Sequence, residues 1–320
     1  MQNSPTFRTA WAAVACLAFA GTAVAQDYPA KPVRFVVADS PGSGPDLIGR
    51  AMSANMTKFL GQPIVVENMP GAGQMIGLEY VAKAPADGYT ALIASVATFG
   101  LLPLTVKELR FDPARDLQPV SVISEGALVL TIASSAPWKT MAEFVAAAKA
   151  NPGKMTYGSP NPIVRLASET LIRELGLRFL EVPYKGGAQY YQAIATREVD
   201  MGMNTVPVTI TMGDKWRALA VSGNNRHAAF PDTPTFSEVG VKSIRGLAYA
   251  LHVPGATPKA IVNKLYDASS KALALPETRA TFATLKQDIV DQTPDASARR
   301  MAEDARVASE IAKAIGLKPQ

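Results

Sequence analysis

Short β-branched runs alternate with longer amphipathic stretches along most of the chain. Val33-Arg34-Phe35-Val36-Val37 reads as a strand, Ser40-Pro41-Gly42-Ser43-Gly44-Pro45-Asp46 as a turn-rich loop, and Leu47, Ile48, Ala51, Met52, Phe59 and Leu60 as the apolar stripe of a helix. Pro45 suits the first helical position, where an N–H has no intrahelical acceptor in any case. Ile64 to Glu67 predicts a second strand, Ile76 to Ala84 a helix, and Thr90 to Ser95 a third strand. The long uncharged stretch from Gly88 to Val106 predicts that buried strand and a loop after it, because Gly100 and Pro103 break helices.

The rhythm repeats in the middle third. Leu128 to Ala133 predicts a strand, Thr140-Met141-Ala142-Glu143 a capping box that opens a helix, and Asn151-Pro152-Gly153 its end. Met155 to Tyr157 is a short strand. Gly158-Ser159-Pro160-Asn161-Pro162 forms a loop, and a helix runs from about Val164 to Leu175. Gly187 to Thr196 (helix), Met201 to Met203 (strand) and Arg217 to Val221 (strand) follow. Tyr249 to Val253 is the last strand, ahead of helices over Pro258 to Leu275, Pro276 to Leu285 and Ala296 to Ala314. Alternating strands and helices predict an α/β fold of mainly parallel sheets flanked by helices. The purely helical end predicts that the chain returns to cover an earlier domain. Two lobes result, with crossovers near residues 125 and 246: 26–125 plus 247–320 as the first and 126–246 as the second.

The amino terminus departs from this pattern. Arg8 precedes the apolar stretch Ala10 to Ala20, and Ala23-Val24-Ala25 matches a cleavage site, so residues 1–25 predict a secretory signal peptide. The stretch is shorter than the ~20 residues a membrane span needs. Cleavage after Ala25 removes the lone cysteine, Cys16, and one arginine, and places the mature chain in the periplasm. That excludes a disulfide framework and a cysteine-rich zinc site. With two histidines in all, a histidine-rich metal site is not expected either. The formal charge of +5 is dispersed, with no basic stripe interleaved with aromatics, so nucleic acid is not an expected partner.

Candidate chemistry gathers at strand–loop–helix junctions, where unpaired N–H groups and the helix dipole favour anions. The loop from Ser40 to Asp46 reads either as a carboxylate or phosphate cradle or as an ordinary turn. Pro70-Gly71-Ala72-Gly73-Gln74-Met75-Ile76-Gly77 has its third glycine one position late for a dinucleotide fingerprint, and no acid follows about 20 residues on. Arg165, in the first turn of its helix, opposes the dipole there. Either Glu169 pairs with it or it holds an anionic ligand. Neither G-x-S-x-G nor H-E-x-x-H occurs. A hydrolase built on Ser159 or on a pair of acids is the competing reading. His227 reads as loop and His252 as a core residue.

In order along the chain, Tyr28-Pro29-Ala30-Lys31-Pro32, Gly61 to Asn68, Pro70 to Gly73, Asp87-Gly88-Tyr89-Thr90, Asn151 to Lys154, Tyr157-Gly158-Ser159, Val182 to Gly187, Arg217 to Val221 and Pro231 to Thr235 are similar to the Bug family. These are periplasmic solute receptors of tripartite tricarboxylate transporters. The resemblance implies a two-lobed periplasmic-binding-protein (Venus flytrap) architecture that closes over a small carboxylate. It implies no catalytic residue, cofactor or metal. It also implies a monomer that serves a membrane permease or, in a variant, a sensor kinase. The family's first-lobe loop reads Pro-Ala-Gly-Gly-x-x-Asp; here Gly42 and Asp46 match it, with Ser40 and Ser43 beside them. Ser95 and Thr98 fall in another cleft loop of the first lobe. Gly158, Ser159, Asn161 and Tyr184 fall in cleft loops of the second, and Asn204 stands where an aspartate is common. After Asn161 the family has small hydroxyl residues and then histidine, whereas this chain has Ile163, Val164 and Arg165. That departure points to an aromatic or otherwise apolar mono- or dicarboxylate of the phthalate or terephthalate type, with Arg165 on a second carboxylate.

Overall fold

A computed structural model describes residues 28–39, 41–71, 74–184, 187–314 and 316. The segment predicted as a signal peptide, Ser40, and Ala72 and Gly73 of the glycine-rich run lie outside the described residues. The first elements are β1 (Val33–Val37), α1 (Gly44–Leu60), β2 (Ile64–Asn68), α2 (Met75–Ala82), β3 (Thr90–Ser95), α3 (Val96–Thr105) and β4 (Leu117–Gly126). Next come β5 (Leu128–Ala133), α4 (Met141–Ala150), β6 (Thr156–Ser159), α5 (Pro162–Glu174), β7 (Leu180–Pro183), α6 (Gly187–Ala195), β8 (Gly202–Thr205), α7 (Val206–Met212) and β9 (Trp216–Val221). The chain ends with β10 (Leu247–Pro254), α8 (Lys259–Ala274), α9 (Pro276–Thr284), β11 (Gln287–Ile289) and α10 (Pro294–Ala314).

One six-stranded sheet, in the order β11-β4-β10-β3-β1-β2, forms the first lobe. The second lobe holds a three-stranded sheet, β8-β5-β9, and the pair β6-β7, which touches the segment before β8 through a Tyr157–Met201 bridge. The sheets are mixed, which corrects the expectation of mainly parallel ones. β1 runs parallel to β2 and β3, but β10 is antiparallel to both β3 and β4, and β5 is antiparallel to β8 and β9. The physical reason is the route of the chain. It re-enters the first sheet from the second lobe, so no helical crossover forces β10 to run with its neighbours.

Only Ala127 separates β4 from β5, and Leu247 at the start of β10 pairs with Gly126 at the end of β4. The two connections between the lobes therefore lie side by side. Arg300 of α10 meets Glu125 at 2.6 Å, Glu125 also accepts the Gly246 N–H, and Arg245 reaches Asp304 of α10 at 3.0 Å. This charged cluster ties the last helix to both connections.

The predicted loop after β3 is the helix α3. It carries no charge and is buried along most of its length, because it touches α10 on one side and α5 of the second lobe on another. A helix buried all round lacks the polar stripe that marks surface helices. Pro103 sits in its last turn, where the helix is ending. Half of the capping box at Thr140 forms: Thr140 accepts from the Glu143 N–H, while the Glu143 carboxylate accepts from Lys139 rather than from the cap residue itself.

His252 lies fully buried in β10, stacked on Phe99 with ring centroids 4.2 Å apart. Burial depresses its pKa to about 3. The unfolded chain takes up a proton near pH 6.5 and the folded chain does not, so stability declines as pH falls from 6.5 toward 3. Between pH 7 and 5 this group is expected to remove about 1–2 kcal/mol. Urea midpoints of wild type and His252→Phe at both pH values check it. The variant is expected to lose less on acidification, and an unchanged difference would refute the assignment.

Candidate functional site

The site grows from loops at the ends of strands, where open α/β sheets place their ligands. After β1 the chain turns through Gly42, at φ +80, into α1. Asp46 is 2% exposed and holds that turn. Its Oδ2 accepts from the Gly42 N–H at 2.8 Å and from Arg50 Nε at 3.1 Å, and its Oδ1 accepts from Asn68 Nδ2 at 2.9 Å. Burial raises its pKa, but the bonds from Arg50, Gly42 and Asn68 outweigh that and hold it below the ordinary carboxylate range. The carboxylate is therefore occupied by its own loop. Ser43, at the cap of α1, has a buried hydroxyl with no partner among the described residues, and so does Ser95 at the end of β3.

Tyr249 of β10 connects these two positions. Its backbone pairs with Ser95, and its hydroxyl stands so close to Gly44 that a Cβ there would lie 2.9 Å from it. Burial, then the nearby Asp39, pushes its pKa up to about 12, so the hydroxyl keeps its proton. The start of α1 thus carries the neutral hydroxyl groups of Ser43 and Tyr249.

Between the lobes lies a cavity of about 630 Å3. Thr98, Gln74 and Asp39 face it from the first lobe, and Ser159, Asn161, Arg165, Glu181 and Tyr184 from the second. Thr98 donates to Gln74 Oε1 at 2.8 Å, and Tyr184 donates to Glu198 at 2.8 Å. Burial and then Glu198 push the Tyr184 pKa up to about 12. Asn161 caps α5 by accepting from the Val164 N–H at 2.9 Å. Leu101, Val106 and Ile163 supply apolar wall.

Arg165 faces this cavity, but its partner is Glu181, not Glu169. Nε lies 3.1 Å from Glu181 Oε2, and the contact is a charge pair rather than an aligned hydrogen bond. Glu169 instead accepts from Tyr157 at 2.5 Å. Ser159 donates to the other Glu181 oxygen at 2.5 Å. Among the described residues its neighbouring base is therefore an ion-paired carboxylate, and neither histidine is among those that line the cavity. Among the described residues no cluster of His, Cys, Asp and Glu is arranged to hold a metal.

A second cavity, of about 240 Å3, adjoins the first through Asn161 and Ile163 and holds Asn204, Tyr190 and Tyr191. Asn204 is buried and donates to Thr131 at 2.7 Å. Tyr190 donates to the Met203 carbonyl at 2.9 Å. Its ring leaves no room for a side chain at Gly158, where a Cβ would stand 2.6 Å from it. Of the residues expected from sequence, the structure gathers Thr98, Ser159, Asn161, Arg165, Tyr184 and Asn204 into these two cavities. Gly42, Ser43, Asp46, Ser95 and Gly158 line neither; they shape the loops behind the walls. Glu181, Gln74 and Tyr190 are additions. Glu181 sits in a four-residue strand too short to show alternation, and Gln74 begins α2 in a left-handed conformation at φ 80.

The family described as "Tripartite tricarboxylate transporter family receptor" matches residues 48–317. A Cupriavidus necator protein, "UPF0065 protein in gbd 5'region", is 33% identical over 312 residues, covering 96% of this chain and 94% of that one. Among solved structures, R. palustris Rpa4515 with adipate is 26% identical with a TM-score of 0.81, covering 92% of this chain and all (100%) of the other. MatC from Rhodopseudomonas palustris with bound malate is 27% identical with a TM-score of 0.76, covering 89% and 100%.

Proposed function

The chain belongs to the tripartite tricarboxylate transporter receptor family, and from that premise we propose that it captures a small organic carboxylate between its lobes and hands it to a membrane permease. The observation that carries this reading is the cavity of about 630 Å3 walled by both lobes, with hydrogen-bonding side chains on each face. A closed ligand site of this kind is made by rigid lobes that move about a hinge. Thr98 and Gln74 on the first-lobe wall suit one carboxylate, and the hydroxyl-lined start of α1, with Ser43 and Tyr249, shapes the loop behind that wall. Asn161, Tyr184 and Asn204 belong to the second-lobe part of the same site.

The receptor acts as a periplasmic monomer, released by cleavage after Ala25, and breaks no bond. Its lobes divide at residues 126 and 247. Its ligand is an aromatic or otherwise apolar mono- or dicarboxylate, a class that includes terephthalate-type acids. Leu101, Val106 and Ile163 support the apolar body. Delivery to a tripartite tricarboxylate permease follows from the family; a sensor kinase is a variant recipient.

A thermal-shift and calorimetric series of aliphatic and aromatic acids tests this. A ligand at 100 times its Kd stabilises by about 2.7 kcal/mol, which for a chain of this size raises Tm by roughly 4–5 °C. At least one acid is expected to do so and to be recovered unchanged. If no acid shifts Tm, the receptor reading fails; turnover of a bound acid would favour the hydrolase built on Ser159.

A further inference from the structure

Arg165, Glu181 and Ser159 form one polar face on the second-lobe wall of the large cavity. The Arg165 and Glu181 side chains are 31% and 26% exposed, and their exposed parts open into the cavity. Ser159 occupies one Glu181 oxygen. The other faces Arg165 without an aligned hydrogen bond, and the terminal guanidinium nitrogens make none with any described residue. Among the described residues the wall therefore offers N–H donors and a carboxylate acceptor side by side, with no net charge. Asp39, the remaining charged group among the described lining residues, is a further acid on the facing wall.

We propose that the Arg165–Glu181 pair selects a ligand with a single carboxylate and, at its far end, an uncharged group that both donates and accepts a hydrogen bond. A hydroxyl or carboxamide satisfies both halves of the pair at once. A second carboxylate satisfies only the Arg165 half and must lie against the Glu181 carboxylate. That repulsion grows as the lobes close and water leaves. The opposite end of the ligand, its carboxylate, belongs on the first-lobe wall, where Thr98 and Gln74 face the same cavity, so the inference rests on the receptor reading above.

The test uses the full mature chain and two matched pairs of acids: 4-hydroxybenzoate with terephthalate, and 6-hydroxyhexanoate with adipate. Calorimetric titration of wild type is expected to show the hydroxy acid bound about tenfold or more tighter than the diacid in at least one pair, with no reversal in the other. In Glu181→Gln the acceptor remains but the repelling charge goes, so the diacid is expected to gain about fivefold or more relative to the hydroxy acid. A wild-type preference for either diacid would overturn the inference while leaving the receptor reading intact, and it needs no variant to observe. An unchanged ratio in folded Glu181→Gln would overturn it too, as would a diacid weakened by that substitution, since Glu181 would then only be orienting Arg165. If none of the four acids binds, both this inference and the aromatic or apolar ligand class fall.

Discussion

Tyr190→Ala is expected to lower the unfolding free energy by about 3–5 kcal/mol, the range found for large aromatic truncations in cores. Tyr190 is 1% exposed and is clamped between two glycines. A Cβ at Gly158 would stand 2.6 Å from its ring, and one at Gly202 would stand 2.3 Å from its hydroxyl. Such close backbone approach leaves nothing to relax into the space the ring vacates, so most of the cavity persists. The truncation also strips the Met203 carbonyl of its donor and removes the contacts with Tyr184 and Tyr191. Tyr190→Phe keeps the ring and loses only the hydroxyl, for about 1 kcal/mol. Urea unfolding of the three proteins separates the two contributions. A Tyr190→Ala chain within 1 kcal/mol of wild type, a loss on the order of a single hydrogen bond, would mean that the glycine clamp does not hold.

Asp46→Asn is expected to weaken carboxylate binding by about tenfold or more and to cost about 2–3 kcal/mol of stability. The amide keeps one acceptor oxygen, but its nitrogen now points donors at donors, so either Gly42 N–H or Asn68 Nδ2 loses its partner. Arg50 is half-exposed, so its ion pair contributes little of the loss. The Gly42 turn then loosens, and with it the loop that backs the first-lobe wall of the cavity. The pH dependence gives a second readout. Because the folded carboxyl titrates below its unfolded value, its contribution is complete above about pH 4 and fades as pH falls through the depressed folded value. Wild type is expected to show that acid limb, and Asp46→Asn a shallower one, because Glu238 and other paired carboxylates still titrate below their ordinary range. Ligand affinity at pH 7 equal to wild type would show that the turn does not position the site.

The order of elements was readable where local chemistry decides it. Leu128 to Ala133 forms a strand with the predicted ends, and Thr140 caps the helix it was expected to open. Ends slip by a residue or two elsewhere, as at α5, which begins at Pro162 rather than Val164. What sequence hid was long-range. The ten-residue strand β4, interrupted by Pro119 and by buried Ser121 and Ser124, has no simple alternation. Its neighbour β10 lies more than a hundred residues away along the chain, so neither its position nor its direction leaves a local mark. The site divides in the same way. Thr98, Ser159 and Asn161 line the large cavity, and it was the likeness to the receptor family, rather than local spacing, that marked them from the sequence. Glu181 became visible only when β7 placed it against Arg165, and it changes Arg165 from a lone cation into half of a neutral pair.

The place of β10 also sets an order of assembly. It lies between β4 and β3 and supplies hydrogen bonds to both. Until residues 247–254 have been made, the first lobe is a parallel piece, β2-β1-β3, and a separate β4. By then β5 to β9 are complete and can pair among themselves. The second lobe can therefore finish while the first stands open, and the strand that closes the first lobe's sheet is the one that emerges directly from the finished second lobe. Non-local pairing of this kind is slow because a long loop must close before any contact rewards it. A second lobe that folds early shortens that loop to the width of two adjacent strands at Gly126 and Leu247.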